Sequence, residues 1–188
     1  MPHFFVAAAY IFCFALTAFL VTPLQRLILP EVTAFASLCF FPHGVRVLAT
    51  WAFGWKAIPG LFVGAVVSLV LLTPTEYADL LRPAVLESIL LGSVVSYAIF
   101  EGARLLGYDF YWSPSNKLGW RSLVIIGAVA SIANSVGNAL IYSGLIGINQ
   151  LKSVLLVYVM GDIIGLIACM LALMLGFRWV RLFHRSKT

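Results

Sequence analysis

The run SVLLVYVMGDIIGLIACMLALMLGF, residues 153–177, holds 25 residues and a single charge, Asp162. About 20 mostly apolar residues are enough to cross the hydrocarbon of a bilayer, so this stretch reads as a spanning α-helix. Five more stretches of the same character occur at about 3–22, 32–51, 57–74, 85–104 and 121–144. Helix-ending residues separate them: Pro23 and Pro30, Trp55-Lys56, Pro74 to Pro83, Ser113-Pro114-Ser115-Asn116, and Gly144 to Asn149. The expected fold is all-α: a polytopic transmembrane bundle of about six helices. No repeat or linker divides it, so residues 1–188 read as one integral membrane domain.

Composition points the same way. Of the 188 residues 62% are hydrophobic and 10% charged, whereas a soluble domain carries about 25% charged residues. Too little polar surface exists to cover a globule in water, which excludes a soluble enzyme and a disordered tail. The net charge of +5 comes from basic residues at the ends of apolar runs, so the expected partner is the lipid bilayer, not nucleic acid. Cys13, Cys39 and Cys169 lie apart within apolar runs and read as core residues, with no metal or cofactor expected. Phe4 to Val21 has neither a preceding Lys or Arg nor a small-residue cleavage pattern after it, and reads as a retained helix.

Basic residues also orient the spans. Six crossings place Lys56, Arg104, Lys117, Arg121, Arg178, Arg181, Arg185 and Lys187 on one side, against Arg26, Arg82 and Lys152 on the other. That imbalance favours both termini in the cytoplasm of a bacterial inner membrane. Phe41-Pro42-His43-Gly44 breaks the second span, because proline removes a backbone donor that hydrocarbon cannot replace. Two half-helices and a re-entrant segment are both open there.

Polar groups at membrane depth are the functional leads. Asp162 stands in Gly161-Asp162-Ile163-Ile164-Gly165, whose two glycines admit a close neighbour; it either serves function or locks the bundle. Arg46 follows the Pro42 break with His43 nearby, so it either faces an anion at a half-helix N-terminus, pairs with Asp162, or snorkels outward. Ser131, Asn134, Ser135 and Asn138 recur at i, i+3, i+4 and i+7, one stripe of a helix. An interhelical hydrogen bond in a membrane is worth only about 0.6 kcal/mol, so a cavity wall is favoured over glue. The expected ligand-binding cavity therefore comprises His43, Arg46, Ser131, Asn134, Asn138 and Asp162. Glu101 and Arg104 are spaced to pair, and Gly60 with Gly64 forms a packing face. Cys39, His43 and Arg46 at i, i+4 and i+7 are the one loosely catalytic pattern, and the Pro42 break spoils their alignment. No enzyme is expected.

Two stretches resemble the MASE1 integral membrane sensor domains of bacteria. Phe41-Pro42-His43-Gly44-Val45, followed by Phe53-Gly54-Trp55-Lys56-Ala57-Ile58-Pro59-Gly60-Leu61-Phe62-Val63-Gly64-Ala65, is similar to their opening, and Gly161-Asp162 with Gly165 to their closing G-D-x-x-G helix. The resemblance implies an input module whose relatives are fused to cyclase, phosphodiesterase or kinase domains. This sequence differs in having about six spans instead of eight, in carrying His43 where a small residue is usual, and in the short stretch after its last span. A separate signalling partner is therefore implied. The resulting expectation is a sensory module for a small anionic molecule. The alternatives are a small transporter or the substrate-binding subunit of one, and then a structural membrane subunit.

Overall fold

The computed structural model describes residues 2–28, 37–73, 82–113, 119–142 and 148–185. The expected breaks at Pro30, at most of Pro74 to Pro83 and at Gly144, residues 32–36 of the second span, and Lys117 and Lys187 lie outside them. Five helical stretches are long and apolar enough to cross a membrane: Pro2–Ile28, Phe41–Leu72, Pro83–Leu105, Trp120–Ile141 and Tyr158–Trp179. Six separate spans were expected. The difference lies in the second stretch, which is jointed and takes in the expected second and third spans.

The first stretch consists of α1 (Pro2–Leu16), a π-helical turn (Thr17–Val21) and α2 (Thr22–Ile28). Pro23 does not stop this helix, contrary to the sequence expectation. Proline leaves a carbonyl without its usual donor, and the wider π turn just before it re-registers the backbone. The Thr22 hydroxyl donates to the Thr17 carbonyl at 2.9 Å within that turn.

The second stretch comprises α3 (Phe41–Phe53), a 3-10 turn (Gly54–Ala57) and α4 (Ile58–Leu72). Gly54 sits at φ 56° and ψ −137°, a conformation that side chains disfavour. The two limbs do not continue one another. Tyr10 of α1 bonds Arg46 of α3 and also lies against the Gly64 backbone of α4, although a straight helix would hold these residues about 27 Å apart. The chain therefore reverses at Gly54, with α1 seated against both limbs. At 13 residues, α3 spans about 20 Å, short of the ~30 Å hydrocarbon, so its N-terminus opens inside the bundle. Pro42 stands in its first turn, where a missing N–H is harmless. The break thus falls before the proline and not across residues 42–44. Gly54→Ala is expected to lower stability by about 2 kcal/mol, read as a lower Tm in nanodiscs, while Gly102→Ala, helical and facing open space, holds or slightly raises Tm.

The other helices are α5 (Pro83–Leu105), α6 (Trp120–Ile141) and α7 (Ile148–Arg185). Side-chain neighbours fix their directions. Gly60 and Gly64 face His3, Val6, Ala7 and Tyr10, so α4 runs parallel to α1 on the predicted glycine face. Ser131 pairs with Asp162 and Gly127 with Leu166, which makes α6 antiparallel to α7. Ser88 pairs with Asn138 and Phe100 packs with Leu123 and Ile126, so α5 is antiparallel to α6. We call the end where α1 begins proximal and the opposite end distal. Helices α1, α4 and α6 run distally, and α3, α5 and α7 return.

Apolar packing closes the proximal half. Val6, Val45, Ala49, Ala57 and Leu61 form one buried cluster. Val47, Phe100, Leu123, Ile126 and Leu166 form another, covered by Phe110 and Tyr111 of the loop after α5. That loop is tied down by the Trp112 N–H, which donates to the Trp51 carbonyl at 3.0 Å. The Tyr111 hydroxyl donates to Glu101 at 2.8 Å; burial, then the neighbouring carboxylate, pushes its pKa above the usual phenol value. Glu101 also meets Arg104 at 3.6 Å, the expected pair.

Candidate functional site

The site is built where the backbone is irregular. Residues 37–40 run as non-helical chain across α7, and hydrocarbon tolerates such backbone only when its polar groups are satisfied by protein. The Phe40 N–H donates to the Gly161 carbonyl at 2.9 Å, the Phe41 N–H to the Thr17 hydroxyl at 3.3 Å, and the Leu38 N–H to Gln25 Oε1 at 2.8 Å. Gly161 lies against the Ser37 carbonyl and Gly165 against the Phe40 carbonyl, with no room for a Cβ at either. The G-D-x-x-G spacing therefore docks a short non-helical stretch of chain in a groove one helical turn long.

Asp162, between those glycines, is 3% exposed. It accepts a hydrogen bond from the Ser131 hydroxyl at 2.7 Å, and its Oδ2 lies 3.4 Å from His43 Nδ1. The opposite ring nitrogen, Nε2, meets the Gly127 carbonyl at 3.1 Å and so must carry a hydrogen. Nδ1 makes no hydrogen bond of its own, so its approach to the carboxylate is a through-space contact.

Arg46 is placed differently from its neighbours. It is 9% exposed; it donates to the Tyr10 hydroxyl at 2.9 Å and lies over the rings of Tyr10 and Phe40, 5.6 and 5.8 Å from their centroids. Gly92 of α5 faces the guanidinium, and a Cβ there would fall 2.7 Å from an Arg46 terminal nitrogen. Neither a direct Asp162 pair nor snorkelling describes this arrangement. Among the described residues, no carboxylate lies within ion-pairing distance of Arg46. Arg46 therefore makes no direct ion pair among the described residues, and its partners there are a hydroxyl and two aromatic rings.

The polar stripe of α6 divides between partners. Ser131 goes to Asp162, whereas Asn138 Oδ1 accepts from the Ser88 hydroxyl at 2.6 Å and Asn138 Nδ2 donates to the Asn134 carbonyl at 2.9 Å. Asn134 Oδ1 and Ser135 Oγ are buried with no hydrogen-bond partner. The structure thus brings His43, Ser131 and Asp162 into one cluster, holds Arg46 with Tyr10, and sets Asn138 with Ser88. Tyr10, Ser88 and Gly92 escaped the sequence reading, because a tyrosine, a serine or a glycine in an apolar run carries no periodic signal. No family model, curated protein or solved structure matches the chain.

Proposed function

We propose that this chain is a membrane-embedded sensory module, of the kind its MASE1 resemblance implies, that binds a small anion at Arg46 and acts through a separate protein partner. The observation that carries this reading is the buried Arg46 guanidinium, which makes no direct ion pair among the described residues. A desolvated charge is costly until it is paired, and a planar guanidinium presents a fork of donors suited to a carboxylate or phosphate. Occupancy would draw on α1, α3 and α5 together, since Tyr10, Arg46 and Gly92 come from these three helices, and so shift their packing. The reading is of a binding protein rather than an enzyme. It also places the basic proximal end, with both termini, in the cytoplasm of a bacterial inner membrane.

Native mass spectrometry of the chain in its extracted lipid, with acetate, phosphate and sulfate as added probes, tests this. An anion adduct is expected on the wild type and is expected to weaken at least about tenfold in Arg46→Gln, the range for a lost charged hydrogen bond. An adduct equally retained by folded Arg46→Gln, or no adduct with the native extract and every probe, would overturn the reading. One observation favours transport as a second reading: a helix that starts inside the bundle is the way many carriers build midplane sites. Flux of the bound anion across proteoliposomes would decide for it.

A further inference from the structure

The polar and apolar residues of the interior are not distributed evenly around Arg46. Gly92, which faces the guanidinium, lies nine residues beyond the distal start of α5 at Pro83, or about 14 Å along the axis. The distal side of this level is polar: Ser88 and Asn138 are half-buried and joined to one another, and Asn134 and Ser135 follow inward with unpartnered buried oxygens. Buried polar atoms of this kind take water when there is room. Proximally the lining runs one turn further, to Ser96 and Thr50, whose fully buried hydroxyls also lack a partner. It ends beyond them at Phe100 and Val47, both at 0% exposure, which head the apolar cluster that Tyr111 and Phe110 cover.

We infer that small anions reach Arg46 from the distal end only, along the α5–α6 seam marked by Ser88, Asn138, Asn134 and Ser135, so that the protein reads the compartment opposite its termini. This rests on the anion-binding reading of Arg46 but adds a side and a route to it. The charge at the inner end of the seam makes the route selective. A positive group in a low-dielectric cleft raises local anion concentration and encounter rates, whereas the apolar proximal cluster offers a hydrated ion no hydrogen bonds.

Cysteine reactivity tests the route without knowledge of the natural ligand. Ser135→Cys, a near-isosteric change, is placed on a background with Cys13, Cys39 and Cys169 replaced by alanine, in vesicles sealed with either face outward. The same reporter on the native background, with its modification located by peptide mass, covers the case in which the cysteine-free chain does not fold. The probes are two membrane-impermeant methanethiosulfonates, one carrying a sulfonate and the other a trimethylammonium group. The sulfonate reagent is expected to modify residue 135 from the distal face at least about tenfold faster than the cationic one. Arg46→Gln is expected to erase that preference, and Ser96→Cys to stay unmodified from both faces. Reaction from the proximal face, or none from either, overturns the route while leaving the anion adduct of Arg46 to be judged by mass spectrometry. Equal rates for the two reagents, unchanged by Arg46→Gln, overturn the charge selectivity; loss of the adduct as well would remove the binding reading beneath it.

Discussion

Gly165→Ala is expected to destabilise the protein by about 3 kcal/mol or more, at or beyond the upper end of the usual cost of overpacking. The reason is the identity of the neighbour. A Cβ at Gly165 would run into the carbonyl of Phe40 and lie 2.9 Å from the Phe41 nitrogen, and backbone cannot turn aside as a side chain does. Residues 37–40 would have to lift from α7, breaking the Phe40 N–H bond to Gly161 and moving the first turn of α3, which carries His43. Gly161→Ala, set against the Ser37 carbonyl, is expected to behave alike. Gly176→Ala on the same helix meets nothing within 4 Å and is expected to hold or slightly raise Tm, since alanine is the better helix former. Thermal unfolding of the three variants in nanodiscs checks this, and equal Tm values for Gly165→Ala and Gly176→Ala would show that residues 37–40 do not dock on α7.

The second large effect is expected at Asp162. Removing one partner of a buried pair leaves the other polar group stranded, a loss of about 3–5 kcal/mol. Asp162→Ala strands the Ser131 hydroxyl, which donates to the carboxylate, and removes the charged group facing His43 Nδ1, which has no hydrogen-bond partner to replace it. Asp162→Asn keeps an acceptor for Ser131 and is expected to lose less. Replacing both members, His43→Phe with Asp162→Leu, removes the two facing groups together and is expected to recover part of the loss of Asp162→Ala. A double-mutant cycle by chemical unfolding measures the coupling. Strict additivity of the two replacements would show that the 3.4 Å approach carries no energy.

Both predictions concern residues that stood out in the sequence, yet their roles there remained open. Asp162 was a choice between function and internal lock, and its bond from Ser131 and approach to His43 set it in a buried polar cluster drawn from α3, α6 and α7. Arg46 was a choice among an anion, Asp162 and the membrane surface. The aromatic rings that hold it come from residue 10 and from residue 40, and no local pattern links position 10 to position 46. The stripe of α6 was legible as a stripe, because i, i+3, i+4 and i+7 share a face of any helix. Its division between Asp162 and Ser88 depends on which helices flank α6, and that information is non-local.

Hydrophobic length determined the membrane class, the positions of most helices and the one broken span, since a run of apolar residues needs no partner to declare that it belongs in hydrocarbon. Local chemistry placed the glycine face of Gly60 and Gly64, the Glu101–Arg104 pair and the irregularity near Pro42 in the same way. Tertiary structure alone decided that Pro23 continues its helix, that the chain reverses at Gly54, and that the backbone before Pro42 lies in the groove at Gly161 and Gly165. Each of these turns on where a backbone hydrogen bond finds its partner, and in a membrane that partner is supplied by other helices and not by water.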